Sequence, residues 1–299
     1  MEIIRLNGNA IKPKTIAAIG FFDGVHRAHH RLLESMKTIA KTRGLHTAVI
    51  TFDVHPRSVL LDVDYRYITP LEHKIECIRN HDIETLYLIA FDEQKATTPP
   101  QAFIETYLNH FEVIVCGFDF RFGNKANGTV STLKEHGQFE SYVVEEMTHD
   151  GEKIGSTQIR KRILEGRVDT LKPMLGEYYS IRGPVIHGEK QGKKIGYPTA
   201  NIDTGEYLVP KTGVYAALTR VDDIWHESMA SIGFNPTLNK ANRLSVESYI
   251  FDFDQNIYGK TIEIRFVKWL RNEMAFDSPE ALIKQIGRDA IATKKLFKI

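Results

Sequence analysis

Cysteine is scarce in this sequence, and its two residues, Cys77 and Cys116, stand far apart in separate apolar stretches. This scarcity excludes a disulfide framework, and both side chains are predicted to be reduced, packed thiols rather than a bridge or a nucleophile. Net charge is almost absent too, because 39 Lys+Arg face 38 Asp+Glu and leave a formal charge of +1. Without a global positive field, neither nucleic acid nor an anionic membrane is an expected partner.

Long apolar runs are also missing. No window is apolar enough to span a bilayer, and residues 1–8 lack the apolar core of a signal peptide, so the cytoplasm is the expected location. The chain does have length and an ordinary globular composition, with 299 residues of which 42% are hydrophobic and 26% charged. That is enough chain for two domains with separate cores.

Strands and helices are predicted to alternate in the first half of the chain. Apolar strands are expected at 15–19, 47–52, 85–90 and 113–116, with helical patterns beginning after them near residues 31, 71 and 100. This order predicts an α/β domain, a Rossmann-like parallel sheet with helices on both faces, and ligands gathered beyond the carboxyl ends of the strands.

The sequence pattern changes near residue 180. From there, segments rich in β-branched and aromatic residues are divided by glycine turns, and only 278–297 has a helical pattern. A closed antiparallel β-barrel with a C-terminal helix fits this order. The predicted domains are therefore 1–180 and 181–299.

The first candidate site follows the strand at 15–19. Gly20 and Gly24 interrupt the apolar run before the helix begins, which gives the order strand, glycine turn, helix. Such a junction suits phosphate, because glycines allow close backbone approach and the free amides of a helix's first turn point at the anion. His26 and His29 are three residues apart and share one face if the helix has begun. Surface or capping histidines, or half of a zinc site, are the alternatives.

Two further stretches of the first half carry polar and aromatic groups. The segment 117–128 mixes glycines, two cations and three aromatics directly after a predicted strand, but it lacks the lysine that a P-loop has before its threonine. A surface loop fixed by its aromatic residues is the alternative. In the second stretch, Ser156 or Thr157 can cap a helix while Arg160, one turn in, projects towards a phosphate at that end. A simple capped surface helix remains equally open.

The second half has its own candidate site at residues 188–202. Glycines, lysines and the oxygen-bearing pair Thr199 and Asn201 are the residue types that a Mg-ATP site needs. Glu247 lies on a predicted strand downstream, where its carboxylate can act as a base. A strand glutamate that faces solvent is the alternative.

These stretches together resemble the bifunctional riboflavin kinase/FMN adenylyltransferase family, also called prokaryotic FAD synthetases. Residues 20–29 resemble the family's Gly-x-Phe-Asp-Gly-Val-His-x-Gly-His signature, with Ala28 in place of its last glycine. Residues 117–123 resemble its Gly-x-Asp-Phe-x-Phe-Gly segment, and residues 154–160 its Ile-Ser-Ser-Thr-x-Ile-Arg element, with Gly155 in place of the first serine. Residues 196–201 match its Gly-x-Pro-Thr-Ala-Asn kinase signature without substitution.

The resemblance implies a role for each position. His26, His29 and Arg160 would meet the triphosphate of ATP, and Glu247 would take the proton from the ribityl hydroxyl of riboflavin. The other implied ATP- or phosphate-binding residues are Gly20, Phe22, Asp23, Gly24, Ser156, Thr157, Gly188, Lys193 and Gly196. The implied flavin-binding residues are Asp119, Phe120, Phe122, Gly123, Lys125 and Arg271. Magnesium and phosphate are implied at Thr199 and Asn201.

The implied activity is twofold. The barrel would be a riboflavin kinase that makes FMN, and the N-terminal domain a nucleotidyltransferase that adenylylates FMN to FAD and releases pyrophosphate. Both reactions would use Mg²⁺ with ATP, and the expected partners are riboflavin, FMN, FAD and ATP, with flavin as substrate and product. Self-association is left open. One alternative keeps the fold with a weakened or inactive adenylyltransferase, prompted by Ala28 and Gly155; another is a flavin- or ATP-binding regulator without turnover.

Overall fold

The computed structural model describes residues 1–7, 11–60, 63–188, 192, 195–234 and 244–297. The chain divides into two compact units, Met1–Ser156 and Thr157–Ile299. The predicted domain boundary near residue 180 stays a prediction. Among the described residues, no helix is both long enough and apolar enough to cross a membrane.

The first unit is built on a six-stranded parallel sheet. Its strands are β1 Glu2–Arg5, β2 Thr15–Ile19, β3 His46–Phe52, β4 Thr85–Ile89, β5 Val113–Gly117 and β6 Glu140–Val144, in the order β1-β4-β3-β2-β5-β6. All neighbouring pairs are parallel. β2 is central and buried throughout, and the chain adds strands first on one side of it and then on the other. Ligands bind at such a switch point in doubly wound sheets.

Helices cover both faces of this sheet, as predicted. They are α1 Arg27–Arg43, α2 Pro56–Leu60, α3 Leu71–Arg79, α4 Glu93–Ala96, α5 Pro100–Tyr107 and α6 Val130–His136. Successive β2 residues point to opposite faces. Ile16 and Ala18 therefore pack in one core with residues of α1 and α3, whereas Ala17 and Ile19 pack in the other with residues of α5 and α6.

Short elements complete the described chain before the barrel. They are a 3₁₀ turn at Asn124–Ala126, β7 Thr148–His149, β8 Glu152–Lys153, α7 Ser156–Leu164, a 3₁₀ turn at Val168–Thr170 and α8 Lys172–Leu175. β7 and β8 form an antiparallel hairpin.

The second unit contains a closed antiparallel barrel followed by a helix, as predicted. The strands are β9 Ser180–Ile186, β10 Ala200–Ile202, β11 Gly213–Val221, β12 Ile224–Phe234, β13 Leu244–Ile250 and β14 Thr261–Arg271, and the helix is α9 Pro279–Phe297. The barrel closes in the order β10-β13-β12-β11-β14-β9. The three-residue strand β10, absent from the sequence prediction, lies between β9 and β13 and completes the closure.

Candidate functional site

The loop after β2 is an irregular turn that leads into α1. Phe22, Gly24 and Val25 have positive φ angles of 58°, 89° and 34°. The helix begins at Arg27 with His26 as its N-cap, and its first turn contains no acidic residue. The amides of that first turn have no partner within the helix, so the loop ends in a group of donors suited to an anion.

Contacts from outside the loop fix its conformation. Asp23 Oδ1 accepts hydrogen bonds from the backbone amides of Ile68 at 2.8 Å and Thr69 at 3.1 Å. The Ser156 hydroxyl donates to the Asp23 carbonyl oxygen at 2.8 Å. A Cβ at Gly24 would lie 3.2 Å from the Ile68 side chain. Asp23 and Ser156, predicted as phosphate-binding residues, thus shape the turn that displays the amides.

His26 and His29 lie face to face at the start of α1. Their ring centroids are 3.6 Å apart with an interplanar angle of 15°, and the His29 ring also contacts Phe22 at 4.8 Å. Among the described residues, neither buried Nδ1 atom has a hydrogen-bond partner. A buried polar atom without a partner is costly and calls for an explanation, and the predicted contact of this pair with a triphosphate stays a prediction. The predicted pairing of the two side chains on one face is present.

Both imidazoles of the pair are neutral near pH 7. Burial, and then the nearby His30, lower the pKa of His26 to about 3. Burial, and then the His26 ring, lower the pKa of His29 well below its usual value. The described residues contain no group of three or more His, Cys, Asp or Glu side chains that could hold a metal ion, so the zinc alternative finds no further ligands.

The depressed pKa of His26 makes stability depend on pH. The unfolded chain takes up this proton near pH 6.5 and the folded chain only near pH 3, so stability falls as the pH drops below about 6.5. At pH 4.5 the loss attributable to His26 is roughly 3 kcal/mol. Urea unfolding at pH 7 and 4.5 should therefore show a smaller loss for His26→Asn than for the wild type. The exposed His110→Asn serves as control, and an equal loss in all three proteins contradicts the assignment.

The loop after β5 is a second feature at the carboxyl edge of the sheet. Asp119 pairs with Lys153 of β8, whose ammonium also lies 4.6 Å from the centroid of the Phe118 ring. Phe120 and Phe122 stack with centroids 5.5 Å apart, and the Phe122 ring is buried in the core. Phe122 therefore fixes the loop, and its predicted flavin contact stays a prediction.

Glycine is required at one point of this loop. Gly123 has a φ of 71°, and a Cβ there would lie 2.9 Å from Pro100 Cα. The exposed Lys125 that follows also has a positive φ, 50°. Gly123 thus allows the loop to approach Pro100 closely, and the flavin-binding roles of Gly123 and Lys125 stay predictions.

Thr157 and Arg160 lie one turn apart on α7. Thr157 is exposed and Arg160 is partly buried. The Ser156 hydroxyl donates to the Asp23 carbonyl oxygen, and its predicted phosphate contact stays a prediction. The phosphate contacts of Thr157 and Arg160 stay predictions.

The barrel brings three predicted residues together. Asn201 on β10 and Glu247 on β13 are register partners, and both lie on the strand face that does not enter the core. Thr199 donates its hydroxyl proton to Glu247 Oε2 at 2.8 Å. Ser245 Oγ lies 3.3 Å from both Glu247 Oε1 and Asn201 Oδ1, and its single proton serves one of them. Glu247 is thus held by hydroxyl groups in a polar cluster.

Ser245 was missed from the sequence, although a signal was available. It lies two residues before Glu247, and residues i and i+2 of a strand share a face. Lys153, the ion-pair partner of Asp119, was also missed. It lies on the two-residue strand β8, which is too short to give a periodic signal in the sequence.

Glycine is required beside this cluster as well. A Cβ at Gly188 would lie 2.4 Å from Asn201 Nδ2, so only glycine lets the end of β9 approach the carboxamide this closely. Gly196 has a φ of 83°, and nothing lies within 4 Å of the Cβ position. Lys193, predicted to bind phosphate, lies outside the described residues.

Arg271 has a different local role from the flavin contact that was predicted. Its Nε and Nη2 atoms donate to Asp289 Oδ2 at 2.9 and 2.8 Å, and Gln285 donates to the other carboxylate oxygen at 2.9 Å. This pairing joins the end of β14 to α9. A flavin contact from Arg271 stays a prediction. It would have to use guanidinium N–H bonds other than the two that this ion pair occupies.

The two sites define a class of protein. The parallel sheet presents amides and neutral imidazoles, and the barrel presents a hydroxyl, a carboxamide and a carboxylate. These groups are typical of a two-domain ATP-dependent transferase.

Comparison with known proteins identifies the family. The FAD synthetase family model matches residues 9–158 and the riboflavin kinase model residues 175–297. A bifunctional riboflavin kinase/FMN adenylyltransferase of Listeria monocytogenes is 42% identical, with 94% of this chain and 92% of that protein covered. The Bacillus subtilis protein of the same name is 39% identical, with 92% and 90% covered. The chain belongs to the bifunctional riboflavin kinase/FMN adenylyltransferase family.

One solved structure matches the whole chain. A crystal structure described as a macrolide-efflux protein from Streptococcus pneumoniae has a TM-score of 0.90 and 31% identity, and covers 98% of this chain and 99% of its own. The fold described above is therefore shared over both units.

Proposed function

We propose that this chain phosphorylates riboflavin to FMN in its barrel and adenylylates FMN to FAD, with release of pyrophosphate, in its parallel-sheet unit. The observation that carries the proposal is the contact of Thr199 with Glu247 beside Asn201, in a chain that matches both family models. The neutral His26 and His29 pair supports the second activity.

In the kinase reaction, Glu247 is the general base. Its carboxylate accepts the proton of the ribityl 5′-hydroxyl as that oxygen attacks the γ-phosphorus of ATP, and the bond from γ-phosphorus to the bridging oxygen breaks to release ADP. The Thr199 hydroxyl holds the carboxylate in place, and Ser245 Oγ lies within hydrogen-bond distance of it. This orientation reduces the entropy that must be lost to reach the transition state.

In the adenylyltransferase reaction no protein base is needed. The phosphate of FMN is largely ionised at neutral pH, because its second pKa is near ~6. Its oxygen attacks the α-phosphorus of ATP and pyrophosphate leaves. The protein contributes position and charge stabilisation through the α1 amides, the N–H groups of His26 and His29, and Arg160.

Further residues complete the nucleotide and flavin sites in the proposal. Gly20, Phe22 and Gly24 would contact ATP, and Asp119, Phe120 and Lys125 would contact the flavin; an ATP contact of Thr157 rests on the family resemblance alone. Their support is the shared carboxyl edge: the loops that carry all except Thr157 follow the neighbouring strands β2 and β5.

A divalent metal accompanies ATP in both reactions, and we propose Mg²⁺. The donors in the barrel fit this ion, because Thr199 Oγ1 keeps its lone pairs after donating to Glu247, and Asn201 Oδ1 is also an oxygen donor. Bound there, the metal would neutralise charge on the phosphates.

We also propose that the enzyme works in the cytoplasm. Self-association, which the sequence leaves open, is tested by light scattering.

A chromatographic time course of the full chain with Mg-ATP tests both activities. Riboflavin in one tube should give FMN and then FAD, and FMN in a second tube should give FAD, with pyrophosphate measured as the co-product. Tubes without ATP are the control. Riboflavin that stops at FMN, with added FMN unchanged, would support the kinase-only alternative.

The two departures from the family signature are expected to be tolerated. Ala28 lies inside α1 with a helical backbone, so its position does not require glycine. A Cβ at Gly155 would meet only the Lys153 side chain, at 3.7 Å. Ala28→Gly and Gly155→Ser should therefore change the rate of FAD formation by no more than about twofold, as surface substitutions usually do. A large gain in either variant would show a site weakened by that residue.

A further inference from the structure

A lysine lies in the interior of the first unit beneath the loop that follows β2. Lys74 on α3 is 2% exposed and is among the largest fully buried side chains of the protein. Its ammonium group donates to the carbonyl oxygens of Phe52 at 3.0 Å and Phe21 at 3.2 Å, and to Thr51 Oγ1 at 3.3 Å. These three bonds use all of its protons. The charge therefore lies between the carboxyl ends of β2 and β3.

This ammonium has no carboxylate beside it. Within the described ranges, no carboxylate oxygen lies within 4.0 Å of Lys74 Nζ, and its partners are neutral oxygens and the Phe21 ring at 4.4 Å. The charges of Asp23 and Asp53 raise its pKa without a hydrogen bond to the ammonium. A buried charge without a paired counter-ion is costly, and an apolar side chain would fill the same volume without that cost. The position is therefore poorly explained by packing alone.

The loop that Lys74 supports is the one that displays the histidine pair. Phe21 O accepts a hydrogen bond from Lys74 and another from Thr51 Oγ1, the latter at 3.0 Å. The next residue, Phe22, has a positive φ and contacts His29. Such a backbone persists only where its surroundings fix it. The charge of Lys74 also reaches His29, where it helps to lower the imidazole pKa.

We infer that Lys74 is a positioning residue of the adenylyltransferase site, a fixed positive charge behind the loop that favours binding of the ATP triphosphate and of the pyrophosphate charge that develops in the reaction. The inference rests on the function proposed for this unit. Lys74 reaches no substrate atom and acts through the Phe21 carbonyl and through its field. Charge in a poorly solvated interior acts over longer distances than charge in water.

Raising the pH removes the positive charge of Lys74. Burial lowers its pKa to about 8, opposed by Asp23 and Asp53. Among the described residues, the titratable groups that interact with it are these two carboxylates and the neutral His29. The ammonium is therefore mostly charged at pH 7 and loses its charge as the pH rises above 8. ATP itself has no group that titrates in this range.

The test compares the wild type with Lys74→Met in the full chain. We measure kcat/KM for ATP in the conversion of FMN to FAD between pH 6.5 and 9.5. At pH 7 the variant should be slower by about tenfold, the effect of one unit charge ~12 Å away at an effective dielectric constant of ~20. The ratio of wild type to variant should then shrink towards one above pH 8. Lys74→Arg should restore activity at pH 7, and the exposed Lys41→Met is the matched control.

Each outcome decides the inference. A ratio that is the same at every pH means that Lys74 has only a packing role, and overturns it. If Lys74→Met does not fold, the wild-type profile decides: an alkaline fall near pH 8 in FAD formation but not in FMN formation by the same chain supports the charge, and a flat profile overturns it. A wild type that makes no FAD from FMN overturns the proposed function and this inference with it, whereas a normal wild type with an equally fast variant overturns the inference alone.

Discussion

Glu247→Gln is expected to slow the conversion of riboflavin to FMN by about 10²–10⁴-fold, the usual contribution of a general base. Glutamine preserves the shape of the side chain, and its carbonyl oxygen can still accept the hydrogen bond from Thr199, which spans 2.8 Å in the wild type. Its amide cannot accept the proton of the ribityl hydroxyl. The loss should therefore appear mainly in kcat, with the KM for ATP little changed. Initial rates of FMN formation at saturating Mg-ATP give the measurement.

Two controls accompany the Glu247 experiment. Glu227→Gln changes an exposed glutamate on the neighbouring strand β12 and should leave both activities intact. In the Glu247 variant itself, formation of FAD from added FMN should be unchanged, because that reaction is assigned to the other unit. A variant that still makes FMN at the wild-type rate would show that the proton leaves by another route. If the protein binds flavin without turnover, neither the wild type nor the variant will form FMN.

The fold was largely predictable because its periodic signals are strong. β2 to β5 are short runs of fully buried residues, and alternation with helices indicated a parallel sheet. β1 and β6 were missed. They lie at the two edges of the sheet and carry many exposed side chains, as in the pattern of β1, where no residue is buried. Edge strands lack the continuous apolar run on which the prediction depended.

Strand β10 shows a different limit. It is only three residues long, and its first two residues, Ala200 and Asn201, lie inside the kinase signature. The sequence motif predicted a binding role for these residues and no strand. The segment is also a strand, and its pairing with β13 places Asn201 opposite Glu247. Spacing in sequence cannot reveal this pairing, because Asn201 and Glu247 lie far apart along the chain, on strands that are not consecutive.

The site itself was predictable in residue type but not in hydrogen bonding. The sequence indicated His26 and His29 on one face, yet their stacking and their neutral state depend on burial that no local pattern reports. Ser156 was predicted to contact phosphate, and it bonds to the Asp23 carbonyl oxygen. Lys74 had no signal of its own, because a lysine on an amphipathic helix is expected to face solvent.

The histidine pair is the feature of the first unit with the largest expected effect on catalysis. Each neutral imidazole has one N–H to donate, and both buried Nδ1 atoms are without a partner among the described residues. Bound triphosphate would supply acceptors for such donors, and the charge on the leaving pyrophosphate grows as the reaction proceeds. Donors fixed before the reaction stabilise that charge without reorganisation.

His29→Asn is therefore expected to slow FAD formation from FMN by about 10²–10³-fold, the loss typical of one removed donor at a site of developing charge. His26→Asn should have a similar effect, and the double variant should be little worse than either single one, because residues that act as a unit are not additive. His30→Asn, a neighbour on α1 whose ring lies against His81, is the matched control and should keep its activity. Formation of FMN from riboflavin by the same variants shows that the barrel is folded, and a urea-unfolding curve at pH 7 like that of the wild type shows that the first unit is folded. If both single variants keep wild-type rates of FAD formation, the triphosphate does not bind at this pair, and the α1 amides and Arg160 would have to carry the reaction alone.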